Sequence, residues 1–192
     1  MSSAFEDIPV TDIVRLVEEN PLAWIVPSSD PSAAVLMPVL MEMDSSNTPV
    51  SLLGHLPRAM AITRSLQEVP AATIFFLGPN AYIPPGWVSK TGWAPTWNFV
   101  SLKVTGKVQM DDGLTKEAVT RLVDHMERPS GSDWTVKNIG GRFDTLLDQI
   151  IGFRLQIEEM IPRFKVGQDE SEQSLKEIYA ALDGHPLQRW MK

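Results

Sequence analysis

A mainly β domain with peripheral helices, an α+β architecture whose strands form a small antiparallel barrel, is what this sequence predicts. Three observations predict it. From Val100 onward, apolar Val100, Leu102, Val104, Val108 and Met110 alternate with Ser101, Lys103, Thr105, Lys107 and Gln109, the period-two pattern of a strand with one buried and one wet face. Five or six short strand-like segments recur, hairpin-connected in the first half and interrupted by helix-patterned stretches in the second. No GxGxxG, P-loop or GxSxG motif occurs, so doubly wound nucleotide folds and the hydrolase elbow lack their signatures.

In chain order, Ile13, Leu16 and Val17 share one helical face between Val10 and Asn20, and Asn20-Pro21 ends that helix because a proline disfavours helical geometry in the residue before it. LAWIV, residues 22–26, reads as a buried strand. The turn-rich PSSDPS leads into AAVLMPVLME, a strand whose Pro38 predicts an edge or a bulge. DSSNTP turns the chain into VSLLGH, a third strand, and AATIFFL, residues 71–77, is a fourth. Residues 79–95 form an irregular connection, longer than a compact domain normally leaves structureless without a functional reason. After the alternating strand, a helix from about Leu114 to Glu127 carries Leu114, Val119, Leu122, Val123 and Met126, and a second, near Phe143 to Ile151, stacks Phe143, Leu146, Leu147 and Ile150. FRLQI, residues 153–157, closes the sheet, and Leu175, Ile178, Tyr179 and Leu182 mark a last short helix before Gly184. One domain over residues 1–192 is expected, with residues 112–151 a helical insertion and residues 170–192 a helical tail.

Composition excludes several chemistries. With no cysteine there is no disulfide, thiolate metal site or cysteine nucleophile, and His55, His125 and His185 stand in no ligand spacing, so no metal site is expected. Asp111-Asp112 and Asp169-Glu170 read as turns or helix N-termini, where carboxylates are favoured. A net charge of -7 opposes general attraction to nucleic acid or an anionic membrane. No apolar run approaches the roughly 20 residues of a membrane span, and MSSAFEDIPV lacks the basic start and apolar core of a signal peptide, so a cytoplasmic protein is expected.

LLGHLPRAMAITRSL, residues 52–66, is the most informative junction. A strand runs into Pro57, and Met60, Ile62 and Leu66 with small Ala59 and Ala61 predict a helix whose first turn contains Pro57 and Arg58. A cation is disfavoured there by the helix dipole, whereas an anion is attracted by both the exposed N–H groups and the arginine. Two readings stand: a phosphate site, to which His55 could also donate, or a surface Arg58 paired with a nearby carboxylate.

The succession PLAWIV, GHLPRA, GPNAYIPPGWVSK, PTWNFVSLKVTGKV and IIGFRLQIEEMIPRFKVGQ, in order over about residues 5–183, resembles the PaiB-type FMN-binding split-barrel family, whose members carry the label of negative transcriptional regulators. That family is similar to the pyridoxamine-phosphate-oxidase-like flavoproteins. The resemblance implies a Greek-key-like antiparallel split β-barrel that pairs as a homodimer and holds FMN in clefts at the interface. It implies cofactor contacts from Met37, Pro38, Gly54, His55, Leu56, Arg58 and Ala59, with GHLPRA supplying the phosphate site. It implies further contacts from Lys90, from Thr96, Trp97 and Asn98 in PTWN, and from Lys165 and Gln168. Tyr82, Ile83, Trp87 and Trp93 then form an apolar patch covered by a partner and a planar cofactor, or else cap one open end of the barrel.

The chain also departs from the family pattern. Phe5 follows MSSA rather than Met-Tyr-x-Pro. Val35-Leu36-Met37-Pro38 replaces Thr-His-x-Pro, Trp87-Val88-Ser89-Lys90 replaces Trp-Tyr-Pro-Ser-Lys, and Lys165-Val166-Gly167-Gln168-Asp169 replaces Lys-Leu-Ser-Gln-Asn. Each lost neutral hydrogen bond forfeits about 1 kcal/mol, so two or three such losses weaken flavin binding about a hundredfold. Three functional readings follow: an FMN-dependent oxidoreductase of unspecified substrate with no protein nucleophile, a flavin-free or weakly binding regulatory or ligand-binding dimer, and a DNA-binding repressor. No helix-turn-helix pair with a basic recognition face supports the last, so specific DNA binding is not expected.

Overall fold

The computed structural model describes residues 5–191, so the departure upstream of Phe5 and the last residue of the expected tail lie outside it. Six strands are present among the described residues: β1 (Leu22–Pro27), β2 (Val35–Met43), β3 (Pro49–Pro57), β4 (Ala71–Ile83), β5 (Thr96–Asp111) and β6 (Ile150–Lys165). They close into one barrel in the order β1-β2-β3-β6-β5-β4, every neighbouring pair antiparallel. Closure removes the sheet edges that would otherwise be open to pairing.

Alternation sets the inside and outside of each strand. On β5, Val100, Leu102, Val104 and Val108 are buried while Ser101, Lys103 and Thr105 are not. Ile25, Leu52, Leu56, Ile74, Phe76, Phe153 and Leu155 complete the interior. Gly54 belongs to this packing: a Cβ there would meet the Phe153 ring and Val39 at 2.7–2.8 Å. Helices stop the ends. α1 (Val10–Glu19) inserts Ile13, Leu16 and Val17 near the start of β1, and α2 (Ala61–Glu68) inserts Ile62 and Leu66 where β1 finishes. Between β5 and β6 lie α3 (Asp112–Glu127) and α4 (Arg142–Leu147); after β6 come α5 (Glu172–Ala181) and a 3-10 turn at Pro186–Trp190.

α3 packs outside the barrel on β3 and β6. Its backbone comes so close that a Cβ on Gly152 would lie 2.4 Å from the Leu114 carbonyl carbon, and Gly152 N–H donates to Thr115 Oγ1 at 2.8 Å. A charged cluster fastens the same helix: Glu42 on β2 accepts from Arg154 Nε (2.5 Å), Arg121 Nη1 (2.5 Å) and Ser51 Oγ (2.7 Å), while Glu117 accepts from both arginines. Burial pushes the Glu42 carboxyl up, but the bonds from Arg154, Ser51 and Arg121 outweigh this and hold it at about 2.

Several elements differ from expectation. α2 begins at Ala61 rather than at Pro57, because the ladder to β6 continues through Pro57↔Ile150 and Arg58 N–H donates to the Gln149 carbonyl at 3.0 Å. Long-range pairing there outcompetes local helix propensity. β4 runs on to Ile83, so Tyr82 and Ile83 are strand residues and the irregular connection contracts to residues 84–95. β1 is not buried on both faces: Ala23 and Ile25 point inward, whereas Leu22 and Trp24 are exposed. Pro38 marks neither an edge nor a bulge; it sits opposite Leu22 where the β1–β2 ladder ends, and the register shift in β2 falls at Glu42/Met43. α3 buries Thr115 and Ala118 rather than the expected large side chains, since only small residues allow its approach to Gly152, and Met126 is exposed. α4 ends at Leu147, and Ile150 opens β6.

Candidate functional site

The face of the barrel away from α3 is bare and apolar. Leu22 and Trp24 on β1, Leu36 on β2 and Phe75 and Leu77 on β4 all point outward and are exposed, with Trp24 directly opposite both Leu36 and Phe75. Together they present roughly 500 Å² of apolar surface, at the upper end for the largest patch of a monomer. Lys103 stands opposite Phe75 and Ser101 opposite Leu77 on the neighbouring β5. Beyond the bulge between Leu77 and Asn80, Tyr82 and Trp97 pair across the strands edge to face, 5.8 Å between ring centroids, and both are exposed.

The residues implied by the family motifs fall into two groups. Around β2 and β3, Met37 faces inward opposite Ala23, while Gly54 and Leu56 are core residues. Pro38 and His55 point outward. His55 is half-buried with Nδ1 sequestered and without a hydrogen-bond partner among the described residues, and burial lowers its pKa, favouring neutral imidazole. Arg58 and Ala59 occupy the exposed turn after β3. Arg58 pairs with Asp112 and donates from Nε to the Asp148 carbonyl at 3.1 Å. A helix N-terminus does lie beside it, but it is that of α3, whose first turn supplies Asp112, and a cavity of about 350 Å³ there is lined by Arg58, Asp112, Thr115, Lys116, Leu147 and Asp148.

The second group gathers at the far end of β6. Lys165 donates to Thr96 Oγ1, and Trp97 is exposed. Asn98 points inside the barrel, 1% exposed, with Nδ2 lacking a partner among the described residues, beneath the Gly167 turn, where φ is 92°. Gln168 is engaged with its own turn, accepting from Val166 N–H at 2.7 Å and donating to the Phe164 carbonyl at 2.5 Å. Arg58 and Lys165 sit at opposite ends of the β3–β6 ladder: Pro57 pairs with Ile150, the first residue of β6, and Lys165 is the last, with no hydrogen bond or ion pair linking the two groups among the described residues.

Lys90 lies between the groups in sequence, exposed on the loop 84–95. Trp87 and Trp93 of that loop pack against the core and Val88 is buried, so these two tryptophans help close the barrel end, while Tyr82 and Trp97 remain on the outer surface. Ser89 N–H and Oγ donate to Glu177 at 2.8 and 2.6 Å, and Trp93 Nε1 donates to Glu170. Motif reading missed Asp112, Glu170 and Glu177 as partners of the motif residues. Only the acidic first turns of α3 and α5 hinted at carboxylates nearby. A cleft of about 840 Å³, between the end of α1, the Gly78–Asn80 bulge, the end of α3 and His185–Arg189, is lined by Gly78–Asn80 of GPNAYIPPGWVSK but by none of the implied cofactor contacts. Among the described residues no cluster of His, Asp and Glu could hold a metal ion, and no helix is long and apolar enough to cross a membrane.

Residues 1–159 match the family described as "Putative FMN-binding domain". A sequence relative, Protease synthase and sporulation protein PAI 2 of Bacillus subtilis (strain 168), is 21% identical over 173 residues, covering 89% of this chain and 83% of that protein. Among solved structures, the FAD and heme binding protein from Mycobacterium smegmatis superposes with a TM-score of 0.58 at 16% identity, covering 92% of this chain and 80% of that one. The flavocytochrome Anf3 from Azotobacter vinelandii does so with 0.55 at 13% identity, covering 83% and 69%. At these identities the likeness to solved structures is one of fold.

Proposed function

The chain belongs to the PaiB-type, pyridoxamine-phosphate-oxidase-like split-barrel family, and from that premise we propose that it is a flavoprotein holding FMN in a cleft completed by a second copy of itself. The bare wall of Leu22, Trp24, Leu36, Phe75 and Leu77 carries this reading, because it is a large apolar surface flanked by motif residues. Flavin or flavin-and-heme binding in two proteins of the same fold is consistent with it. The placement of Arg58 and Lys165 at opposite ends of the β3–β6 ladder supports a shared cleft, in which Arg58 of one copy and Lys165 of another meet one ligand.

The residues fit such a group. The apolar wall suits a planar ring and excludes water from it. His55 offers a sequestered Nδ1 still without a partner, and Lys90 offers a cation to the phosphate. Bound FMN would supply the redox chemistry of an oxidoreductase, the protein contributing position and electrostatics. We assign the whole chain to one domain, with residues 112–151 an insertion and 170–192 a tail.

A flavin-free or weakly binding regulatory dimer is the second reading. It is favoured by the partners that Arg58, Lys165 and Gln168 already have within the chain. The visible spectrum of freshly purified protein, repeated after adding and removing excess FMN, decides between them. Retained flavin absorbance supports the first reading; a colourless protein that FMN does not titrate leaves the second.

A further inference from the structure

Loop 84–95 contains a single 3-10 turn, Pro85–Trp87, and no strand, yet it carries Lys90. Two carboxylates of the C-terminal segment fix it on either side of that lysine. Before it, Glu177 receives Ser89 N–H on Oε2 at 2.8 Å and Ser89 Oγ–H on Oε1 at 2.6 Å. Gln173 Nε2, one turn earlier on α5, donates to the same Oε1 at 2.8 Å and orients the carboxylate. After it, Trp93 N–H closes a turn onto the Lys90 carbonyl at 3.3 Å, and Trp93 Nε1 donates to Glu170 at 3.0 and 3.1 Å. The Lys90 side chain makes no hydrogen bond or ion pair among the described residues, so the backbone on both sides is tied down while the cation stays free.

We propose that Glu177, assisted by Glu170, is a positioning residue that holds loop 84–95 so that Lys90 faces an anionic ligand group. The proposal rests on the reading above that Lys90 contacts the FMN phosphate. An opposite role can be drawn from the same contact, with the Glu177 carboxylate competing with that phosphate for the Ser89 donors. The arrangement favours positioning. A competing carboxylate would be expected to neutralise the free cation as well, whereas among the described residues Glu177 engages only Ser89 and Gln173, and Glu170 reinforces the loop through the Trp93 indole alone.

Two readouts on the full chain test it. Trypsin nicking after Lys90, followed by mass spectrometry on flavin-free protein, reads loop order without reference to any ligand. FMN titration followed by flavin fluorescence reads the consequence. Glu177→Ala is expected to speed cleavage after Lys90 about tenfold, since proteolysis tracks the population of the open loop. It should weaken FMN about tenfold while the melting temperature changes little. Glu177→Gln, which keeps the shape and loses the charge, should fall between, and Glu170→Gln should reproduce the cleavage effect in part. Unchanged cleavage in both Glu177 variants overturns the proposal, and so does tighter FMN binding in either, which would identify the carboxylate as a competitor. If wild type binds no FMN, the flavin reading fails and the cleavage comparison still decides whether Glu177 orders the loop.

Discussion

Protonating Glu42 should loosen α3 from the barrel, and the size of the effect follows from its surroundings. Its side chain is 14% exposed and bonds to Arg154, Arg121 and Ser51, with the carboxyl held at about 2 against an ordinary value of 4.5. A depression of that size corresponds to roughly 3 kcal/mol. Because Arg121 and Arg154 are 41% and 32% exposed and solvent screens them, about 2 kcal/mol is the better expectation. The folded pKa lies below the unfolded one, so this stability is fully present above about 4.5 and disappears as pH falls towards about 2. Urea unfolding of wild type and Glu42→Gln at pH 7, 5, 4 and 3 measures it. Glu42→Gln should cost about 2 kcal/mol at pH 7, and the gap should narrow steadily below pH 4.5. A gap that is the same at pH 7 and pH 3 would refute the account, because it would mean the carboxylate's charge does nothing that an amide of the same shape does not.

Other expectations follow from single contacts. Arg58→Ala should cost the flavin-free protein about 1 kcal/mol, because its pair with Asp112 and its bond to the Asp148 carbonyl are both exposed. If it also meets the FMN phosphate, affinity should fall about tenfold to a hundredfold, which flavin fluorescence reads directly. Light scattering should give twice the 21.4 kDa chain mass, and Trp24→Glu, on the bare wall and outside the core, should return it to one chain mass without unfolding. Gly54→Ala should destabilise by about 1 to 3 kcal/mol in thermal or urea melts, because its Cβ has no room beside Phe153 and Val39. No sequence-dependent DNA complex should form in a salt-titrated binding assay; a nanomolar one at physiological salt would reverse the assignment.

Much of the barrel was legible because strand alternation is a local signal. β5 could be read from Val100 to Met110 by period two alone, and α1 from Ile13, Leu16 and Val17. What was not legible depended on partners distant in sequence. Nothing between Leu52 and Leu66 announces that Pro57 pairs with Ile150, yet that pairing delays α2 to Ala61. Nothing in α3 announces that Gly152 admits its backbone, yet that contact turns Thr115 and Ala118 inward in place of the larger residues.

The same cause separates what was seen at the site from what was missed. The local pattern put Arg58 in the first turn of the helix after β3, but that helix begins at Ala61, and the helix start that meets Arg58 is that of α3. Which helix was beyond local reading, because α3 follows Arg58 by more than fifty residues and arrives only through the β3–β6 ladder. That substitution changes the chemistry on offer. The first turn of α2 would have left bare N–H groups facing the guanidinium, with the next anion to be supplied from outside. The first turn of α3 brings its own anion, Asp112, while Asp111 already accepts the Gly113 N–H. A phosphate at Arg58 must therefore displace a carboxylate of the chain, whereas one at Lys90 need displace nothing. Of the two candidate phosphate contacts, Lys90 is the one that binding can use without first breaking an ion pair, and its loop is where the affinity of this chain for an anionic cofactor should be most sensitive to mutation.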